Sequence, residues 1–155
     1  MKSLIVAAIA STTLAVTAQA GDIYGGIAYD LGRWHTGEQT NHGTLILGYA
    51  MQTQVGKISA EVDLGAGITG NESDYSTTRL RGLYTLPLGS FDGLASLGGT
   101  MYNDNGTTHT SVNFGIGAEK EMFNGFRVRG EAIRDLMQND HTPVTVLRLG
   151  VVTDF

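Results

Sequence analysis

From Gly21 onward, apolar and polar residues alternate along the chain. Ile23, Ile27, Tyr29 and Leu31 share one parity with Gly25, and Asp22, Tyr24, Asp30 and Trp34 share the other. An extended chain sends successive side chains to opposite faces, so this period predicts a strand with one apolar face and one polar face. The period returns seven more times, through 45–51, 58–68, 80–88, 95–101, 112–118, 126–132 and 147–155. Sustained 3.6-residue apolar spacing is absent, so no amphipathic helix is expected.

The connections also alternate. Gln54 to Lys57, Gly89 to Gly93 and Lys120 to Gly125 read as short turns. His35 to His42, Gly70 to Thr77, Asn103 to Thr110 and Met137 to Pro143 are longer and rich in Asn, Asp, Thr, Gly and His. An even number of antiparallel strands, with short turns at one end and longer loops at the other, is the layout of a bacterial outer-membrane barrel. Strands of about ten residues match the 9–11 that a tilted strand needs to cross a bilayer. The prediction is an all-β, eight-stranded, antiparallel up-and-down barrel with both termini on the periplasmic side.

Charge decides which face looks where. The polar parity carries Asp22, Asp30, Glu61, Asp63, Glu119, Glu131 and Asp154 together with Arg79, Arg81, Arg127, Arg129 and Arg148. The apolar parity carries no charge in the strand centres. A water-facing wall scatters Lys and Glu, but after residue 20 there are only two Lys, Lys57 and Lys120, both at short turns. The interleaved carboxylates and guanidiniums therefore predict an ion-pair lumen, with the apolar face turned to lipid. In hydrocarbon every backbone group must be paired, and a closed sheet achieves that with strands. Eight strands leave an interior that side chains just fill. Glu119 and Arg127 flank one short turn on matching parity, and Glu131 and Arg148 fall near one level.

One segment breaks the pattern. Ile133 falls on the polar parity and Arg134 on the apolar one. Either a bulge flips the register there, or Arg134 points outward above the hydrocarbon. In the second case Arg33 and Arg134 stand at the level of lipopolysaccharide phosphates, which their planar forks suit.

The first 20 residues have another character. Lys2 precedes an apolar run, and Ala18-Gln19-Ala20 fits a small-residue cleavage site, so residues 1–20 read as a signal peptide and 21–155 as one barrel domain. The run is too short for a helix spanning a membrane, and no Cys follows to carry a lipid anchor. Residues 21–155 hold nine basic and fifteen acidic residues, a net charge of −6, which argues against a nucleic-acid partner. Without Cys there is no disulfide and no Cys/His zinc site. The 22 Gly among 155 residues suit closely packed, curved strands.

At the C-terminus Leu147, Leu149, Val151, Thr153 and Phe155 alternate up to a terminal aromatic. This resembles the end that outer-membrane barrels present to their assembly machinery. With the eight strands and the leader, residues 21–155 resemble the small barrels of the OmpA transmembrane-domain and OmpX type. The resemblance implies a monomeric integral outer-membrane protein in contact with outer-membrane lipid and lipopolysaccharide, with no cofactor.

Candidate chemistry is sparse. His109-Thr110-Ser111 has the spacing of a base and a nucleophile on one strand face, and resembles the His-x-Ser of eight-stranded lipid A deacylases. Ser111 shares parity with Asn113 and Glu119, however, so it points into the lumen, away from lipid. His35 with Ser73 and Asp74 resembles the loop residues of the outer-membrane palmitoyltransferase, but the N-terminal amphipathic helix of that enzyme has no counterpart after Gly21. His35, His42, His109 and His141 lie in or beside the long loops and offer a possible metal site at the mouth. Tyr29, Trp34 and Tyr102 at one end, and Phe91, Phe123, Phe126 and Phe155 at the other, read as interfacial girdles. The expected function is a non-enzymatic barrel for envelope integrity or surface interactions. The alternatives are a narrow pore and a lipid A-modifying enzyme.

Overall fold

A computed structural model describes residues 21–34, 39–68, 75–104, 106–137 and 143–155. The leader at 1–20 lies outside the described residues, as do His35, Ser73, Asp74 and His141. Eight strands follow in chain order: β1 (Asp22–Trp34), β2 (Gln39–Thr53), β3 (Gly56–Gly67), β4 (Tyr75–Pro87), β5 (Asp92–Asp104), β6 (Thr107–Phe123), β7 (Phe126–Met137) and β8 (Val144–Asp154). Each pairs antiparallel with the next, and β8 returns to β1 from Tyr24↔Asp154 to Trp34↔Val144. The sheet is thereby closed and has no free edge.

Several strands extend further than hydrophobic alternation suggests. β2 begins at Gln39, so His42 lies on a strand and not in a loop. Asp104 pairs with Thr107, so the ladder extends well into the expected Asn103–Thr110 loop, with Gly106 at φ 82°. β6 runs to Phe123 and turns through Asn124 and Gly125, at φ 36° and 82°. Two positive φ values in a two-residue loop match the twist of the flanking strands. Near the rims both faces of a strand are polar, so the ladder continues while the alternation of hydrophobicity fades.

The bulge considered at Ile133 does not form. The β7–β8 register is unbroken from Phe126↔Thr153 to Asp135↔Val144, and the β6–β7 irregularity falls instead between Glu121 and Phe123. Ile133 therefore points inward and Arg134 outward. Inside, Ile133 packs with Val144 and Val146 in a small apolar cluster.

The wall is inverted relative to a water-soluble barrel. Ile27, Leu45, Leu64, Leu80, Leu97, Ile116 and Leu149 are exposed, whereas Asp30, Glu61, Arg79, Arg81, Arg129 and Arg148 are buried. Apolar side chains form the outer surface and charged ones the core. This arrangement suits a hydrocarbon solvent, in which burial of the charges against one another replaces their hydration. No helix among the described residues is long and apolar enough to cross a membrane; a barrel crosses with strands.

Candidate functional site

The lumen is the chemically distinctive region. Alternation places every second residue of each strand inside, and closure brings distant strands within side-chain reach. At the short-turn end, Arg127 Nη2 donates to Asp154 Oδ1 at 2.8 Å, and its Nε lies 3.3 Å from Glu119 Oε1. Arg129, one inward position further, holds Glu119 at 2.9 Å and reaches across the lumen to Glu61 at 2.6 Å.

At mid-height Arg81 pairs with Glu61, donates from Nη1 to Glu131 at 2.7 Å, and places Nε 3.2 Å from Asp63. Arg148 then takes Asp63 at 2.7 Å and grips Asp30 with two further nitrogens. Arg79 links Asp30 to Asp135, each at 3.3 Å. The result is one continuous series of alternating charge running the length of the lumen. Seven carboxylates and five guanidiniums take part.

The sequence-derived residues Glu61, Asp63, Arg79, Arg81, Glu119, Arg127, Arg129, Glu131 and Arg148 all lie in this series. Glu119 and Arg127 meet across their turn. Glu131 and Arg148 are register partners, yet their charged atoms are 3.9 Å apart and the shorter contact of Glu131 is to Arg81. Asp135 was not anticipated. It accepts hydrogen bonds from Tyr102, from Thr100 at 2.6 Å and from Ser111 at 3.3 Å. Its parity with Glu131 was a usable signal, obscured by the inverted pair Ile133–Arg134 beside it.

Uncharged side chains complete the packing. Tyr24 donates to Glu61 Oε2 at 2.9 Å, and its ring occupies space left by Gly48, where a Cβ would overlap the ring. Tyr102 was expected in an outer girdle but lies inside, 5.8 Å from the Arg79 guanidinium. It shares parity with Thr100, which points inward on β5. His42 stacks on Tyr75 at 4.8 Å, and Tyr75 packs against Tyr102 at 5.7 Å, so three rings gather at the end of the lumen opposite the chain termini.

Toward the short turns these contacts leave little room among the described residues. The cavity at the short-turn end, lined by Tyr24, Lys57, Ser59, Glu119, Arg127 and Arg129, has a volume of about 10 Å³. That is at the lower limit for one water. Ser111 is buried and donates its proton to a carboxylate, an environment unlike that of a nucleophile activated by a base. Among the described residues no group of three His, Asp or Glu is placed to hold a metal ion.

On the outer wall, Arg33 is exposed and Arg134 half-buried. Both pair in register with Thr145, from β1 and from β7, so they flank it on one row. Arg134 Nη1 donates to Thr145 Oγ1. Phe155 extends the ladder by donating its N–H to Ile23 O at 2.9 Å, and its ring lies over Gly25.

Comparison with solved structures places this architecture. Neisserial surface protein A superposes with a TM-score of 0.61 at 9% identity, covering 88% of this chain and 98% of that one. The N-terminal β-barrel domain of Pseudomonas aeruginosa OprF gives 0.60 at 15% identity over 85% and 98%. Ail, the attachment invasion locus protein of Yersinia pestis, gives 0.57 at 14% identity over 87% and 97%. The fold is that of the small eight-stranded outer-membrane barrels. No family model and no curated protein sequence matches the chain.

Proposed function

We propose that the protein is a non-enzymatic integral barrel of the bacterial outer membrane, with a closed lumen, contributing to envelope integrity or surface interactions. The observation that carries this reading is the charged core inside an apolar wall. The short turns and termini face the periplasm in this proposal, and the ends joined by residues 35–38, 69–74 and 138–142 face outward. Residues 1–20 direct export and are removed. Phe155 acts as the recognition end for the assembly machinery, and the barrel works as a monomer because closure leaves no edge to pair.

A pore needs a continuous water path. The ion-pair series and the aromatic stack at the outer end argue for a plug instead. A lipid A-modifying enzyme needs a nucleophile facing lipid, and Ser111 faces Asp135. Reconstitution in planar bilayers tests the proposal: the protein is expected to show no stable single-channel conductance. Reproducible channels in the wild type would replace this reading with the pore.

A further inference from the structure

Arg134 stands in an unusual place for a cation. On the outward row of β7 it follows Val128, Gly130 and Ala132, and Leu136 lies beyond it with 46% of its surface exposed. The register partner of Leu136 is Val112, equally exposed on β6. Arg134 therefore sits at the upper edge of the apolar belt, where the polar row of Thr145 and Arg33 begins. An arginine facing lipid is costly in mid-bilayer and nearly free at the interface, so one with apolar residues on both sides along its strand needs an acceptor.

Thr145 supplies only one. A guanidinium has five N–H donors, and among the described residues neither Arg134 nor Arg33 forms an ion pair. The two arginines are separated by one strand, so their backbones lie about 10 Å apart across β8. Thr145 stands between them, and its hydroxyl proton remains available to an anion.

The same three strands carry an apolar groove below this row. It is lined by Ile27 and Tyr29 of β1, Leu149 and Val151 of β8 and Val128 of β7, with a volume of about 480 Å³. Tyr29 and Leu149 are paired at its upper edge, four residues from the pair Arg33↔Thr145. That is about 13 Å along the strand. An apolar groove leading to two guanidiniums complements an acyl chain that ends in a phosphorylated head.

We infer that the β7–β8–β1 wall binds one lipid A molecule of lipopolysaccharide, with a phosphate on Arg33, Arg134 and Thr145 and an acyl chain in the groove beneath. Arginine forks match phosphate oxygens in pairs. The inference rests on the outer-membrane placement proposed above.

The test uses the full barrel, purified folded in detergent, with lipid A and phosphatidylglycerol as separate probes followed by native mass spectrometry. Two variants are compared with the wild type. The first is R33Q/R134Q. The second is Gly130→Trp, which extends from a glycine with open space around it over the register partner Leu149. Each is expected to lose at least tenfold in lipid A retention while keeping the heat-modifiable folded band on gels. Wild-type retention in R33Q/R134Q overturns the proposal, and unaltered retention in Gly130→Trp overturns the groove as its lower half. Equal binding of phosphatidylglycerol to the wild type overturns the assignment to lipid A. Recovery of wild-type protein outside the outer-membrane fraction is a separate result, which strikes the placement and not the site.

Discussion

Arg148 and Asp30 are register partners across the β1–β8 seam, and their side chains form a two-pronged ion pair. Nε and Nη2 donate to the two carboxylate oxygens at 2.7 and 2.8 Å. The bond that closes the sheet and the bond that neutralises its core thus fall at the same level.

Removing one partner of a buried pair typically costs about 3–5 kcal/mol, because the other charge is left without compensation. Asp30→Ala strips Arg148 of two acceptor contacts and Arg79 of one. Its urea midpoint in detergent is expected to fall accordingly. Glu131→Ala acts mainly on Arg81, not on Arg148, and pairing it with an Arg81 variant is expected to be non-additive. A double-mutant cycle measures the coupling; additivity would place the two groups apart.

Tyr24 fits only because position 48 has no side chain. Gly48→Ala introduces a Cβ into the hydroxyl end of the ring, the end that Glu61 holds in place. Overpacking of this kind costs about 1–3 kcal/mol. Tyr24→Phe combined with Gly48→Ala should not restore stability, since the ring remains. Tyr24→Leu combined with Gly48→Ala is expected to recover part of it, and thermal melts of the three proteins separate the two explanations.

Deleting Phe155 removes the ring over Gly25 and the last bond to Ile23. The expected result is less folded protein in the outer membrane and more precursor in the periplasm, read by cell fractionation. Phe155→Tyr keeps an aromatic end and is expected to assemble as the wild type does. Normal yield of the truncated chain would show that assembly does not read this terminus.

Ser111 gives its proton to Asp135 from inside the lumen. Expression of the protein is therefore expected to leave the mass of lipid A unchanged, and Ser111→Ala is expected to alter only stability. A hydrogen bond to a charged group contributes about 1.5–3 kcal/mol, and Asp135 keeps Thr100 and Tyr102, so the loss belongs at the lower end. A change in lipid A mass that disappears in Ser111→Ala would establish an enzyme.

Strand number, facing and the charged interior were legible in the sequence because hydrophobic contrast marks them at every second residue. The contrast reverses at Ile133, Arg134 and Val146, near the rim, and there alternation alone is compatible with two registers. Backbone pairing, which side-chain polarity does not report, runs straight through. Asn124-Gly125 is a sequence signature of a tight hairpin, and both residues take positive φ in the structure. Parity also sufficed to put Tyr102 inside, but an aromatic near a strand end suggested a girdle. Which carboxylate meets which arginine was beyond reach. Glu61 meets Arg129 68 residues away, across the hollow of the barrel, and only closure sets that distance.

The same separations bear on how the chain arrives at this state. Glu61 precedes Arg129 by 68 residues, and Asp30 precedes Arg148 by 118. Local hairpins already join Glu61 to Arg81, Glu119 to Arg129 and Arg127 to Asp154, but the contacts of Asp30 and the reach of Arg129 to Glu61 wait for closure. An intermediate lacking β8 holds Asp30 without its main cation. Such a species is poorly suited to hydrocarbon, and contacts so remote in sequence form slowly. Insertion and closure are thereby coupled into a single late event, with the last strand acting as the latch that lets Asp30 of the first strand enter the bilayer.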